Sequence, residues 1–239
     1  MKMVDFLKEL QLQGKALSII LTNKLNENWQ HQNKGCSLKL LNLALEGKPV
    51  LFSAENVSCS GAASGLGLVD TPTPMPGGMG AFLSQGAGEG FPPGLRIKAN
   101  AKIAEEMSDK QPKNVVDGHK YIVVKPYEDG DNPTLVTFLI NCDQLAALTV
   151  LFLYRKSAYD RVYAPMSSGC ASIFRIPLGE NKSADPRAVI GNIDLSSRPF
   201  FAKDTLFFTV NNQDLQKMLV DADHCFFKSP SWQPLKKRL

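Results

Sequence analysis

Two spacings of apolar residues alternate along the chain and predict a mixture of strands and helices. Short apolar runs predict strands at residues 16–22, 49–54, 121–125, 135–140, 161–164, 172–176, 188–193 and 206–210. Apolar residues that recur every three to four positions predict helices at residues 3–13, 36–46, 97–107, 142–154 and 214–219. A further short helix is predicted after Cys59. This pattern predicts an α+β fold with a mixed sheet, strand–helix–strand units and helices packed on the sheet.

Glycine and proline interrupt this pattern in the first half of the chain. Ten of the 18 glycines lie between Gly61 and Gly94, together with several prolines. Such a stretch does not form a regular element, because glycine raises the entropy cost of ordering the backbone and proline removes a donor. Phe82, Leu83 and Phe91 within it favour a loop that docks on the body of the protein over a linker. The sequence therefore predicts one domain, residues 1–239, with an irregular excursion at about 70–94.

Composition and charge indicate which classes of partner the protein lacks. An apolar fraction of 44% and a charged fraction of 21% are typical of a soluble globular domain. A net charge of +4 gives no argument for a nucleic-acid partner. The longest apolar stretch, 145–154, is too short to span a bilayer, and residues 1–13 do not resemble a secretory signal. We therefore expect no membrane or nucleic-acid partner, and the pattern leaves the oligomeric state unassigned.

The five cysteines are the most distinctive feature of the chemistry. Their odd number and wide spacing do not fit a disulfide framework, so free thiols in the reducing cytoplasm are predicted. Cys36, Cys59 and Cys142 each precede or begin a predicted helix. A helix N-terminus favours the thiolate, which is the form that binds metals or attacks electrophiles. No C-x-x-C pair occurs, so any thiol site has to be assembled by the fold.

Two segments of the chain follow a similar plan. In the first, a strand is followed by Cys36, a helix, a second strand and Cys59; in the second, a strand is followed by Cys142, a helix, a second strand and Cys170. Units of this length fit crossover connections in a partly parallel sheet. The segments share little sequence identity, so both an ancient duplication and coincidence remain open.

The order of several short motifs resembles the family called domain of unknown function 169. They are Cys36-Ser-Leu-Lys-Leu-Leu-Asn-Leu-Ala-Leu-Glu-Gly47, Cys59-Ser-Gly-Ala62, Leu66-Gly-Leu68, Asn141 with Gln144-Leu-Ala146, Cys170, and Asp194-Leu-Ser-Ser-Arg198. The resemblance extends from about residue 16 to 219 and implies cysteines at Cys36, Cys59 and Cys170. The family has proline where this chain has Cys142, so the role of Cys142 stays open. The resemblance implies no activity.

The three shared cysteines support two hypotheses about function. In the first, Cys36, Cys59 and Cys170 ligate an iron–sulfur cluster or a soft metal ion, with Gly61 as a further cofactor-binding residue. The protein then acts on or senses a small molecule beneath the glycine-rich segment. In the second, the protein binds a small ligand without a cofactor, and the cysteines line or pack the pocket as small apolar residues. A nucleophilic thiol needs a nearby base, and the sequence offers only His31, His119 and His224.

Other residues give weaker indications. Ser197 and Arg198 are candidate substrate-binding residues, because a guanidinium binds carboxylate or phosphate in a bidentate manner; the alternative is a turn in which Arg198 pairs with Asp194. Cys225 is expected to pack with Phe226 or Phe227. The glycine pattern matches neither a dinucleotide-binding nor a P-loop motif. The sequence assigns no reaction, and whether the protein is an enzyme stays open.

Overall fold

A computed structural model describes residues 1–31, 35–59, 61–71 and 74–239. Within them, the predicted α+β class is confirmed: the strands form one mixed sheet, and helices pack on it. The strands are β1 (Ala16–Thr22), β2 (Gln30–His31), β3 (Val50–Ser53), β4 (Tyr121–Pro126), β5 (Leu135–Ile140), β6 (Val162–Tyr163), β7 (Ala188–Gly191) and β8 (Leu206–Asn211). The α-helices are α1 (Met3–Glu9), α2 (Leu41–Leu45), α3 (Ala62–Leu66), α4 (Met79–Leu83), α5 (Ala101–Asp109), α6 (Cys142–Leu153), α7 (Ile176–Asn181), α8 (Asn212–Asp221) and α9 (Trp232–Lys236).

The order of strands repeats the same plan twice. The sheet runs β2-β3-β4-β1-β5-β8-β7-β6. Outward from its centre, the order β1-β4-β3-β2 of the first half is repeated as β5-β8-β7-β6 in the second half. The outer pairs β2–β3 and β6–β7 are parallel, and the remaining pairs of the described sheet are antiparallel. The halves meet where β1 pairs with β5. This topology supports an internal duplication, but with a different equivalence from the predicted one: β2 and β6 correspond, so Cys36 matches Cys170 and not Cys142.

Alternating side chains divide the core between the two faces of the sheet. Ala16 of β1 belongs to a cluster with α1, α6 and α8, whereas Leu17 and Ile19 belong to a cluster with α2, α3 and α7. All six residues of β5 are buried, which explains why five of them are apolar. We refer to the side that carries α2, α3 and α7 as the cavity face, because the cavity described below lies there.

Polar residues fix the ends of the longer helices. Asn141 and Gln144 form a capping box at the start of α6, and the Gln144 side chain also donates to the carbonyl of Leu10. The Asn100 side chain accepts from the N–H of Ile103, so α5 begins at Ala101 and not at the predicted residue 97. No helix among the described residues is long and apolar enough to cross a bilayer.

One predicted strand is wrong. Residues 172–176 lie in a π-helical turn, Ala171–Arg175, that continues into α7. All five residues of the turn are buried, so the sequence shows a mostly apolar run whose polar members are Ser172 and Arg175. Such a run fits a buried strand or a buried helix equally well, because neither exposes a polar face that would reveal the period.

The glycine-rich excursion is partly described. Residues 72 and 73 lie outside the described part, whereas the following residues include α4, which packs on α5. The backbone returns on itself where Leu95 and Ile97 donate to the carbonyls of Phe82 and Leu83. A Cβ at Gly94 would lie 2.1 Å from the carbonyl oxygen of Ser84, so this return requires glycine. The single-domain organisation stays a prediction.

Candidate functional site

A cavity of about 430 Å³ lies on the cavity face. Its lining comes from the turns before α2 and α3, from residues between 70 and 111, from the turn before the π-helix and from the loop after β7. The lining residues that bear on the prediction are Cys36, Cys59, Gly61, Cys170, Asp194 and Ser197. We call this the thiol cavity.

The thiol cavity brings together three cysteines that are far apart in sequence. Cys36 is half-buried, Cys59 is exposed, and Cys170 is buried with 8% of its surface exposed. Cys225 belongs to the core on the other side of the sheet, and the exposed Cys142 begins α6 on that side. All five cysteines are free thiols in the structure. The fold thus gathers the three cysteines that the resemblance selects; their role as ligands stays a prediction.

The thiols of the cavity do not owe their position to helix N-termini. Cys36 precedes α2 by five residues, because the intervening residues form a separate turn in which the N–H of Leu41 donates to Leu38. The carbonyl of Cys59 accepts from Ala62, the first residue of the five-residue α3. Only Cys142 lies at the start of a long helix. The predicted helix start at Cys36 is therefore wrong, and the helix that follows Cys59 is short.

Close packing fixes the position of Cys170. A Cβ at Gly169 would lie 2.3 Å from Leu38 Cδ1 and 2.7 Å from Ser197 Oγ. A Cβ at Gly65 of α3 would lie 2.9 Å from the Cβ of Cys170. Since real Cβ atoms do not approach so closely, both glycines are needed for the turn that carries Cys170 to reach its neighbours. Cys170 is consequently the most rigidly placed thiol of the three.

Burial keeps the thiol of Cys170 protonated. Loss of water raises the pKa of Cys170 well above that of an ordinary thiol. The nearby Cys36, Cys59 and Asp194 raise this pKa further through repulsion between negative charges. The three thiols are therefore close enough to interact electrostatically. A cation in the cavity would reverse the balance, because it stabilises each thiolate.

The two predicted substrate-binding residues have different surroundings. Ser197 lines the cavity, and its hydroxyl donates to Asn192 Oδ1 and lies 3.0 Å from the carbonyl of Asp194. The guanidinium of Arg198 donates to backbone carbonyls, including those of Thr205 and Lys203. Arg198 thereby holds together the loop that follows β7. Their binding of a substrate stays a prediction.

Asp194 adds a carboxylate to the thiol cavity. Its Oδ2 accepts from the N–H of Gly169 at 2.9 Å, next to Cys170. Its Oδ1 accepts from the N–H and the hydroxyl of Ser196. These bonds stabilise the carboxylate and connect the loop after β7 to the turn that bears Cys170.

Arg175 is a residue of the site that sequence reasoning missed. Only 2% of its surface is exposed, and it lies in the π-helical turn on the cavity lining. Its guanidinium donates to the carbonyls of Pro112, Ser64 and Val69 and forms an ion pair with Asp70 at 3.1 Å. Burial lowers the pKa of Arg175, and Asp70 partly offsets this effect. An arginine within an apolar run was the available signal, since charged side chains rarely become buried without a partner.

Apolar side chains from the excursion and α5 form a further wall of the thiol cavity. This wall, which we call the roof, consists of Met75, Met79, Phe82, Leu83, Leu95, Ile97 and Met107. Gly80 lets α4 approach α5, because a Cβ there would lie 2.7 Å from the carbonyl oxygen of Ala101. The glycines thus serve close packing as well as loop geometry.

The thiol cavity does not present a complete set of conventional metal ligands. Among the described residues, no group of three or more His, Cys, Asp and Glu side chains is placed so that it could hold a metal ion. The three cysteines therefore share a cavity but need to move toward each other to ligate one ion.

These features define an α+β protein with a repeated strand topology and a thiol-lined cavity on one face. A family profile, described as uncharacterised ArCR and called domain of unknown function 169, matches residues 5–221. The chain belongs to this family, and the resemblance seen in its sequence is confirmed. No curated protein and no solved structure matches the chain.

Proposed function

We propose that the protein holds an iron–sulfur cluster or a soft metal ion through Cys36, Cys59 and Cys170, and acts on or senses a small molecule beside it. The observation that carries this proposal is the convergence of these cysteines, from three separate segments, on one cavity. Thiolates are the preferred ligands of iron–sulfur clusters and soft metals. Free thiols suit a reducing cytoplasm, which is the compartment we propose.

Electrostatics supports a cationic occupant. Burial, and in second place repulsion from Cys36, Cys59 and Asp194, disfavour the thiolate of Cys170 while the cavity lacks a positive charge. Binding of a metal or cluster would release the thiol protons and bring the three cysteines into contact with one cation or cluster. Cys59 is exposed and Cys36 is half-buried, so both are less enclosed by packing than Cys170.

The size of the cavity supports a small-molecule ligand. A volume of about 430 Å³ lies within the range of small-molecule sites and exceeds the needs of a single metal ion. Three protein ligands leave one coordination position open, as in catalytic metal sites. A small molecule bound against the roof would face that position. Ser197 and Gly61 line the same cavity and are proposed to contact the occupant.

A second candidate is a small-ligand binding protein without a cofactor. The specific observation in its favour is the absence, among the described side chains, of a preformed group of metal ligands. The apolar roof alone would then supply most of the binding energy, and the cysteines would act as small apolar residues.

Anaerobic purification separates the two candidates. The cluster hypothesis predicts a brown protein with visible absorption and bound iron and sulfide after anaerobic reconstitution. Cys36→Ser combined with Cys59→Ser should abolish the colour, whereas the matched control Cys142→Ser, which changes an exposed thiol outside the cavity, should not. A protein that stays colourless and binds no soft metal after reconstitution would favour the cofactor-free candidate.

A further inference from the structure

Sulfur atoms are concentrated around the thiol cavity to a degree that the cysteines alone do not explain. The chain has five cysteines and seven methionines. Seven of these sulfur-bearing side chains line the cavity: three cysteines and four methionines, namely Met75, Met79, Met107 and Met166. More than half of the sulfur-bearing residues of the protein thus line one cavity.

These methionines do not serve as core packing. Met3 and Met218, in the core on the other side of the sheet, have 4% and 2% of their surface exposed. By contrast, 40% of Met166 is exposed, and the three methionines of the roof are half-buried. Their flexible thioether side chains therefore border open space next to the thiols.

We propose that the thiol cavity binds copper(I), with thiolates of Cys36, Cys59 and Cys170 and thioethers of the surrounding methionines as ligands. This inference rests on the proposed function and extends it by naming the metal and four further donors. Copper(I) is the soft ion for which thioethers are effective ligands, whereas zinc gains little from them. The described cysteines do not form a preassembled metal site, so the proposal requires Cys36 and Cys59 to approach Cys170 when copper(I) binds.

Binding is a ligand exchange without oxidation or reduction. Copper(I) leaves its carrier, each participating thiol loses its proton to solvent, and sulfur–copper bonds form. The competing explanation is that the methionines adapt to an apolar organic ligand, a use for which their flexibility is suited. That explanation predicts no preference for copper(I) and is an outcome of the experiment below.

Competition with bicinchoninate under anaerobic, reducing conditions measures the affinity for copper(I). We compare the full chain with a roof variant, Met75→Leu with Met79→Leu and Met107→Leu, and with a control variant, Met3→Leu with Met218→Leu. Leucine conserves side-chain volume, so both variants keep the packing. The roof variant should bind copper(I) about tenfold more weakly or worse, as expected for loss of metal-supporting groups. The control should match the wild type, and zinc affinity should change in neither variant.

The outcomes separate this inference from the proposed function. Equal copper(I) affinity of the roof variant and the wild type, or no binding by the wild type, would overturn the inference. If Cys36→Ser with Cys59→Ser still abolishes binding of iron or zinc in that case, the proposed function stands alone. If those cysteine substitutions leave all metal binding unchanged, the proposed function fails. Should the roof variant not fold, its three single variants replace it, and the inference falls if none weakens copper(I) binding.

Discussion

The two halves of the sheet have the same topology but contribute differently to the thiol cavity. Cys36 follows β2 and Cys170 follows β6, so they occupy equivalent places. In the first half, residues 54–120 separate β3 from β4, whereas residues 192–205 are enough to connect β7 with β8. Cys170 is buried and fixed by glycine contacts, whereas Cys36 is only half-buried. The second half thus supplies a rigid wall, and the long connection in the first half supplies Cys59 and the roof.

This difference shows how a repeated fold acquires a single site. If the connection from β3 to β4 were as short as that from β7 to β8, neither Cys59 nor the roof would be present. Arg175 joins the two contributions, because it lies in the second half and donates to Ser64, Val69 and Pro112 of the long connection. The site therefore depends on the asymmetry between the halves.

Removal of Arg175 should have the largest effect on stability. Arg175→Ala removes the ion pair of the partly exposed Asp70 and leaves three carbonyls without their donor, and each such unsatisfied buried group costs about 1–3 kcal/mol. Urea denaturation followed by circular dichroism measures the change. Arg238→Ala, which removes a surface ion pair with Asp143, is the control and should change the free energy of unfolding by about 1 kcal/mol or less. Similar values for both variants would refute the role of Arg175 as the link between the halves.

A methyl group at Gly169 should perturb the rigid wall. The added Cβ would lie 2.3 Å from Leu38 Cδ1, and overpacking of this kind destabilises by about 1–3 kcal/mol. Gly61→Ala is the matched control, because a Cβ at Gly61 meets no atom within 4 Å. We expect Gly169→Ala alone to lower the midpoint of thermal unfolding. Equal midpoints for the two variants would show that the wall is not tightly packed.

The rate of thiol alkylation should differ between the cysteines of the two halves. The exposed Cys59 should react with iodoacetamide faster than the buried Cys170 between about pH 7 and 10. Because burial raises the pKa of Cys170, its thiolate fraction should still be increasing at the upper end of this range. Mass spectrometry of tryptic peptides measures both rates. Rapid modification of Cys170 that reaches a plateau near neutral pH would contradict the rigid, desolvated wall.

The sequence predicts the central strands best and the edge of the sheet worst. Residues 16–22 and 135–140 are strands with the predicted bounds, because long apolar runs between polar residues leave little ambiguity. The two-residue β2 has no such pattern. Because the sequence does not reveal β2, the predicted plan matches β3 with β6, whereas the topology matches β2 with β6. Cys36 is consequently matched with Cys142, although the topology matches it with Cys170.

Part of the candidate site could be predicted from the sequence. The resemblance selects Cys36, Cys59 and Cys170, and all three line one cavity. The buried Arg175 escaped prediction, because the partners that satisfy it come from residues 64–112, far away in sequence. The sulfur-rich lining is likewise a product of tertiary structure, since Met75, Met107 and Met166 share no local motif.

X-ray absorption at the edge of the metal bound after anaerobic reconstitution tests the central claim most directly. The account predicts sulfur neighbours at about 2.3 Å, a typical metal–thiolate distance, and their loss when Cys36 and Cys59 are replaced by serine. The control Cys142→Ser should leave the sulfur shell unchanged. A shell of oxygen and nitrogen alone, or a sulfur shell that persists without Cys36 and Cys59, would contradict the account.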